Sequence, residues 1–217
     1  MLGDDVLTPS PLQDDVYNPY YALIGQRLAI DSHGEQFTMQ YALWDFMRSI
    51  GEKSVAGRSK MQADAGDDGL DDGENVSDKK IAHVARTYAW WIARGALSLN
   101  VLKSVDFTAL KRRGNLFLQL LITNVLLSTQ TTSPTLTSFT KGKGAEGDRK
   151  ALETCVTRGT AGNIPLAQGL LFFITKELTS RDIQRINGKS AKTATARVEW
   201  AAGLACNVLQ ATASQGA

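Results

Sequence analysis

The stretch Leu116–Leu127, LFLQLLITNVLL, constrains this chain more than any other. A helix that is apolar on nearly every face has to be enclosed by other helices or by lipid. Gln119, Thr123 and Asn124 interrupt the block, and it is shorter than the ~20 residues that a membrane span requires. It therefore reads as the central helix of a soluble helical domain. Ala96–Phe107 reads as a shorter helix in front of it, and the break near Phe107–Gly114 holds a basic turn, Lys111-Arg112-Arg113.

The other helices follow from caps and spacing. Asn18-Pro19 opens the first, because Asn accepts a free backbone N–H and Pro fits the first helical position. Tyr20, Leu23, Ile24 and Leu28 then recur at helical spacing, and Ser32-His33-Gly34 ends the helix. The next runs from about Gln36 to Ile50, with a stripe of Phe37, Tyr41, Trp44 and Met47 widened by Leu43 and Phe46. Ser77 caps a third, with Asp78 favoured in its first turn and Gly95 at its end. Its inward stripe is Ile81, Val84, Ala85, Tyr88, Trp91 and Ile92. A weaker helix is expected at about Asp148–Arg158. Asn163 and Pro165 open another, with Leu166, Leu170, Phe173, Ile174 and Leu178 inward. A last helix covers about Ala191–Thr212, with Val198, Ala201, Ala205, Val208 and Leu209 on one side. No alternating run is bounded by hairpin turns, so strands are not expected. The expected architecture is all-α, with about eight helices stacked as antiparallel pairs in a HEAT-like helical repeat.

Three stretches fall outside this pattern. Residues 1–15 read as a flexible lead, and 213–217 as a tail. Residues 51–76 are rich in Asp, Gly and Ser with few large apolar side chains, so burial there cannot offset ordering entropy, and a disordered acidic insertion is expected. Residues 129–146 read as a second polar loop. The helical domain itself is expected over 16–212. The N-terminus has neither the basic region nor the apolar core of a signal peptide, and the two cysteines form no CxxC pair; both point to a reducing, intracellular setting without a membrane.

Candidate chemistry is sparse. Gly142–Gly147 matches G-x-G-x-x-G, but Thr, Ser and Pro precede it where a buried strand is needed. Gly188-Lys189-Ser190 resembles the end of a phosphate-binding loop, yet Ile183 stands where that motif's first glycine belongs. His33 in a turn and His83 on the third helix have no ligand or catalytic partner at suitable spacing. Asp45 is a lone carboxylate. No catalytic residue, cofactor site or metal site is expected. An enzyme built from distant residues such as Asp45, His83 and Glu153 is the reading from a different class.

Binding is better supported. Formal net charge is only +2, so attraction to polyanions has to come from local patches. One is Lys111, Arg112 and Arg113. A looser one comprises Arg181, Arg185, Lys189, Lys192 and Arg197. Either suits RNA phosphates or an acidic protein surface. Trp90 lies about 100° around its helix from Trp91 and is a candidate partner anchor.

The segments Tyr17-Asn-Pro-Tyr-Tyr21, Gln40-Tyr-Ala-Leu-Trp-Asp-Phe-Met-Arg48, Leu97-Ser-Leu-Asn-Val-Leu-Lys-Ser-Val-Asp-Phe107 and Gly169-Leu-Leu-Phe-Phe-Ile174, with the apolar helix between the last two, together resemble the C-terminal MI (MA-three) domain of the nucleolar Nom/Sgd family. Members carry an initiation-factor-4G-like middle domain followed by this MI domain. The resemblance implies a non-catalytic protein-binding module in small-subunit ribosome assembly and 18S rRNA maturation. It implies nucleolar location, pre-ribosomal proteins and possible contact with pre-rRNA as partners, and an initiation-factor-4A-like DEAD-box RNA helicase engaged through the middle domain, which is not in this sequence. The basic turn and the acidic insertion depart from the family pattern. A related spliceosomal scaffold with the same two domains is the alternative.

Overall fold

The computed structural model describes residues 17–52, 76–135, 148–178 and 192–214. Every regular element among them is helical. The elements are α1 (Pro19–Asp31), α2 (His33–Ser49), α3 (Asp78–Ala93), a 3-10 turn (Leu99–Leu102), α4 (Arg112–Ser128), α5 (Arg149–Thr160), α6 (Ile164–Glu177) and α7 (Lys192–Ser214). The expected all-α stack is observed, though the helix ahead of the basic turn shrinks to a single 3-10 turn. The lead, most of the acidic stretch (53–75), residues 136–147 and 215–217 lie outside the described residues.

Local chemistry sets the helix starts. The side chains of Asn18, Ser77, Asp148 and Asn163 accept the N–H of Tyr20, Lys80, Ala151 and Leu166. Each satisfies a donor that the first turn leaves free. Ser32 joins α1 to α2: its Oγ accepts the Glu35 N–H, which places His33 inside the first turn of α2 and leaves only Ser32 between the helices.

Helices pack mainly on near neighbours in sequence, consistent with a helical-repeat stack. The α3–α4 contact is the most extensive; α1 packs against α3 and α2, and α7 packs against α6, α5 and α4. In α4, Phe117, Leu118 and everything from Leu121 to Ser128 are buried, as an almost uniformly apolar helix demands. Phe46 packs against Phe117 with ring centroids 5.3 Å apart, and Phe107 against Phe173 at 6.0 Å. Asn115 Nδ2 donates to Glu177 Oε2 at 2.8 Å, and Gln119 Nε2 to the Glu177 carbonyl at 2.9 Å, so the polar side of α4 holds the end of α6.

The stripes of α3 and α6 are buried as expected. The stripe of α2 is buried at Leu43, Trp44, Phe46 and Met47 but not at its start, and that of α1 is not buried. Tyr20, Leu23 and Leu28 of α1 and Phe37 and Tyr41 of α2 are exposed, and α1 buries Ala22, Gly25 and Ala29 instead. The cause is close approach. A Cβ on Gly25 would lie 2.4 Å from Trp91 Cζ2, and Trp91 Nε1 donates to the Ala22 carbonyl at 2.8 Å. Only a face of small residues admits that indole.

Candidate functional site

The basic turn proves to be a helix start. Lys111 is the N-cap residue of α4, and Arg112 and Arg113 are its first two residues. The Lys111 side chain makes no capping bond. The cap comes from elsewhere: Glu52 Oε1 accepts the Lys111 N–H at 2.8 Å. Glu52 is 5% exposed, and a Cβ on Gly114 would fall 2.0 Å from that same oxygen. Gly114 is the gap into which the carboxylate fits. A negative group there also suits the positive end of the helix dipole, which the two arginines oppose. Burial nevertheless pushes the Glu52 carboxyl above its ordinary pKa, with the Lys111 N–H and charge pulling it back in smaller measure.

The basic residues therefore divide. Lys111 and Arg112 are exposed, whereas Arg113 is half-buried and donates through Nη1 to the Val76 carbonyl at 2.8 Å. Arg113 ties down the far end of the acidic stretch. Glu52 and Val76, which the sequence assigned to that stretch, are both buried. Of the second basic group, Arg181, Arg185 and Lys189 lie outside the described residues, and Lys192 opens α7. Arg197 is buried at 5% exposure and so contributes nothing to a surface patch.

Trp90 is no exposed anchor. It is 3% exposed, its Nε1 donates to Gln26 Oε1 at 2.7 Å, and the Arg94 guanidinium stacks 4.4 Å from its ring centroid. The broad α1–α3 interface takes in both tryptophans. The residues of the enzyme reading are each engaged locally: Asp45 with Arg48, Glu153 with Arg149 at 2.8 Å, and the His83 ring against Tyr17 at 5.9 Å. Among the described residues no group of three His, Cys, Asp or Glu could hold a metal. No described helix is long and apolar enough to cross a membrane.

One feature was not visible in the sequence. A cleft of about 350 Å³ opens between the end of α3 (Ile92–Gly95) and α5 (Asp148–Arg158), with Arg94, Lys150 and Arg158 among its lining residues. Cys155 lines it too, but its thiol donates to the Ile92 carbonyl at 3.8 Å, and burial pushes its pKa up to about 11. It is a packing residue and no nucleophile at neutral pH. Arg94 precedes Lys150 by 56 positions and Arg158 by 64, so spacing gives no signal that they meet; Gly95, with φ +76°, is the nearest clue.

The architecture is thus that of a helical stack with exposed cations at the start of α4 and in the α3–α5 cleft. Part of the chain is similar to suppressor of glycerol defect protein 1 of Schizosaccharomyces pombe, 28% identical over 116 residues, which is 52% of this chain and 13% of that protein. It is also similar to nucleolar MIF4G domain-containing protein 1 of Mus musculus, 26% identical over 125 residues, and to that of Homo sapiens, 24% identical; each match covers 58% of this chain and 12% of the relative. The match therefore spans about an eighth of the length of these relatives. No family model and no solved structure matches the chain.

Proposed function

We propose that this chain is the MI-type scaffold domain, over residues 16–212, of a nucleolar assembly factor for the small ribosomal subunit. The carrying observation is the similarity to proteins whose names place them in the nucleolus and give them an MIF4G domain. The all-helical stack supports it, since paired helices present long faces to protein partners. On this reading the domain performs no chemistry. It contacts pre-ribosomal proteins and pre-rRNA, and works beside an initiation-factor-4A-like DEAD-box helicase in 18S rRNA maturation. Lys111 and Arg112, exposed at the start of α4, are the residues from the basic turn that remain available to such a partner.

The test is affinity isolation of the tagged, full-length gene product from its own cells. Enrichment of the 18S precursor and of a DEAD-box helicase is expected. Recovery of spliceosomal RNA instead, or of no pre-ribosomal component, would overturn the reading.

A further inference from the structure

The cleft between α3 and α5 carries charge that the fold does not use. Asp148 belongs to the helix: its Oδ1 accepts the Ala151 N–H at 3.0 Å as the α5 N-cap. Arg94 is half-spent, donating through Nη2 to the carbonyls of Ser128 and Thr131, while its Nε is buried without a hydrogen-bond partner. Lys150 and Arg158 are exposed and make no hydrogen bond or ion pair with the described residues. Arg158 is nonetheless held in place. Its guanidinium lies on the bare backbone of Gly95, where a Cβ would fall 2.4 Å from Nη2 and 2.8 Å from Nη1. The Asp148 carboxylate, whose charge acts on Arg94, and the C-terminal end of α3, about half a negative charge, offset only part of this cluster and leave the cleft net cationic.

The rest of the lining is small or buried, Ile92 and Cys155 being the buried part. Ala93, Gly95, Ala151 and Thr154 offer neither a bulky apolar anchor nor an exposed ring. Protein hot spots use large aromatic and Arg anchors in desolvated pockets, and base recognition uses stacking platforms. A groove with cations and no such platform suits a polyanion's backbone.

We infer that the α3–α5 cleft binds the phosphodiester backbone of RNA without reading its sequence, with Lys150 and Arg158 contacting phosphates and Arg94 fixing the floor. The inference stands on the cleft and does not depend on the nucleolar assignment. It is tested on the purified chain with a fluorescent oligouridine, by anisotropy between about 50 and 200 mM salt, the range over which phosphate neutralisation changes affinity most visibly. The Lys150→Gln, Arg158→Gln double variant should bind about tenfold more weakly. Its slope of log K against log salt should fall by about 1.4, or roughly 0.7 for each single-strand phosphate that is no longer neutralised. Arg158→Lys, which keeps the charge and removes the fork, should preserve the slope; should the double variant melt early, Lys150→Gln alone at the exposed position should lower the slope by about 0.7, and an unchanged slope there would refute the inference equally. Unchanged affinity and slope in a folded double variant would refute the inference. So would binding of polyglutamate, and not of RNA, that the double variant abolishes, since that marks an acidic protein partner.

Discussion

A single carboxylate joins two parts of the chain that the sequence keeps apart. Glu52 lies just past α2 and caps α4 over the gap at Gly114. Glu52→Ala leaves the Lys111 N–H without its acceptor at a helix start, and should cost about 1 kcal/mol, the usual scale for removing a cap, in chemical denaturation. Glu52→Gln keeps an acceptor oxygen and removes the titration. Burial raises the Glu52 pKa, so the folded protein holds that proton more tightly than the unfolded chain does. The stability this group adds is fully present below the ordinary glutamate value of about 4.3, and is lost as pH rises through the higher folded value. The Gln variant should therefore gain on the wild type as pH climbs from about 4 to 7. Denaturation midpoints taken across that range decide it, and a gap that stays constant would show that Glu52 ionises in the fold as freely as in the unfolded chain. Arg112, exposed and at the first position of α4, opposes the helix dipole. Arg112→Glu should leave stability equal or raise it by about 0.3–1 kcal/mol, while weakening any anionic partner at that turn. A marked loss of stability would make the turn structural.

At the scale of elements, α3 is the piece on which its neighbours are registered. Tyr88 donates from its hydroxyl to the Met39 carbonyl at 2.8 Å, Trp90 to Gln26 and Trp91 to Ala22, so its aromatic groups fix α1 and α2. On other faces Arg86 donates to the Pro134 and Thr135 carbonyls, and Arg94 to those of Ser128 and Thr131. This register depends on Gly25. Gly25→Ala places a methyl against Trp91 and should cost about 1–3 kcal/mol, the range for overpacking, despite the better helix propensity of Ala. A neutral result in thermal melts would mean that α1 can slide away from the indole freely. The same packing explains where sequence reading succeeds and fails. Caps and periods gave the starts of α1, α3, α5 and α6, because those signals are local. The stripe of α2 is right at Leu43, Trp44, Phe46 and Met47 and fails only at Phe37 and Tyr41, whereas for α1 the period was right and the side was wrong. Counting large side chains finds a stripe, but a neighbouring tryptophan selects the small residues for contact, and that neighbour is 66 positions away from Gly25. The basic turn failed for a related reason: its helix start is capped by Glu52, from a stretch read as disordered. The α3–α5 cleft was illegible because Arg94 and Arg158 meet only through packing.

For the whole molecule, the central apolar helix sets the strongest expectation. The block Leu116–Leu127 implied a helix enclosed by others, and α4 does pack against α3, α6 and α7, with polar bonds from Asn115 and Gln119 to the end of α6. A stack of this kind can melt repeat by repeat when each unit rests only on its neighbours. Here α7 also reaches back past α6 to α5 and α4, and α3 spans from α1 to α5, so the described helices are cross-braced. Phe117 sits at the centre of that bracing, fully buried and packed on Phe46 of α2. Phe117→Ala should cost about 3–5 kcal/mol. That is a large share of the 5–15 kcal/mol typical of a domain, and it should lower the melting temperature by on the order of 10 °C. If the bracing couples the stack, far-UV circular dichroism and tryptophan fluorescence will shift together in the variant and keep one shared transition, because the tryptophans lie on α2, α3 and α7 while the mutation is on α4. Separation of the two probes, with the fluorescence of α2 and α3 changing first, would show instead that the α1–α4 half unfolds by itself and that the packing of α7 on α4 carries little energy.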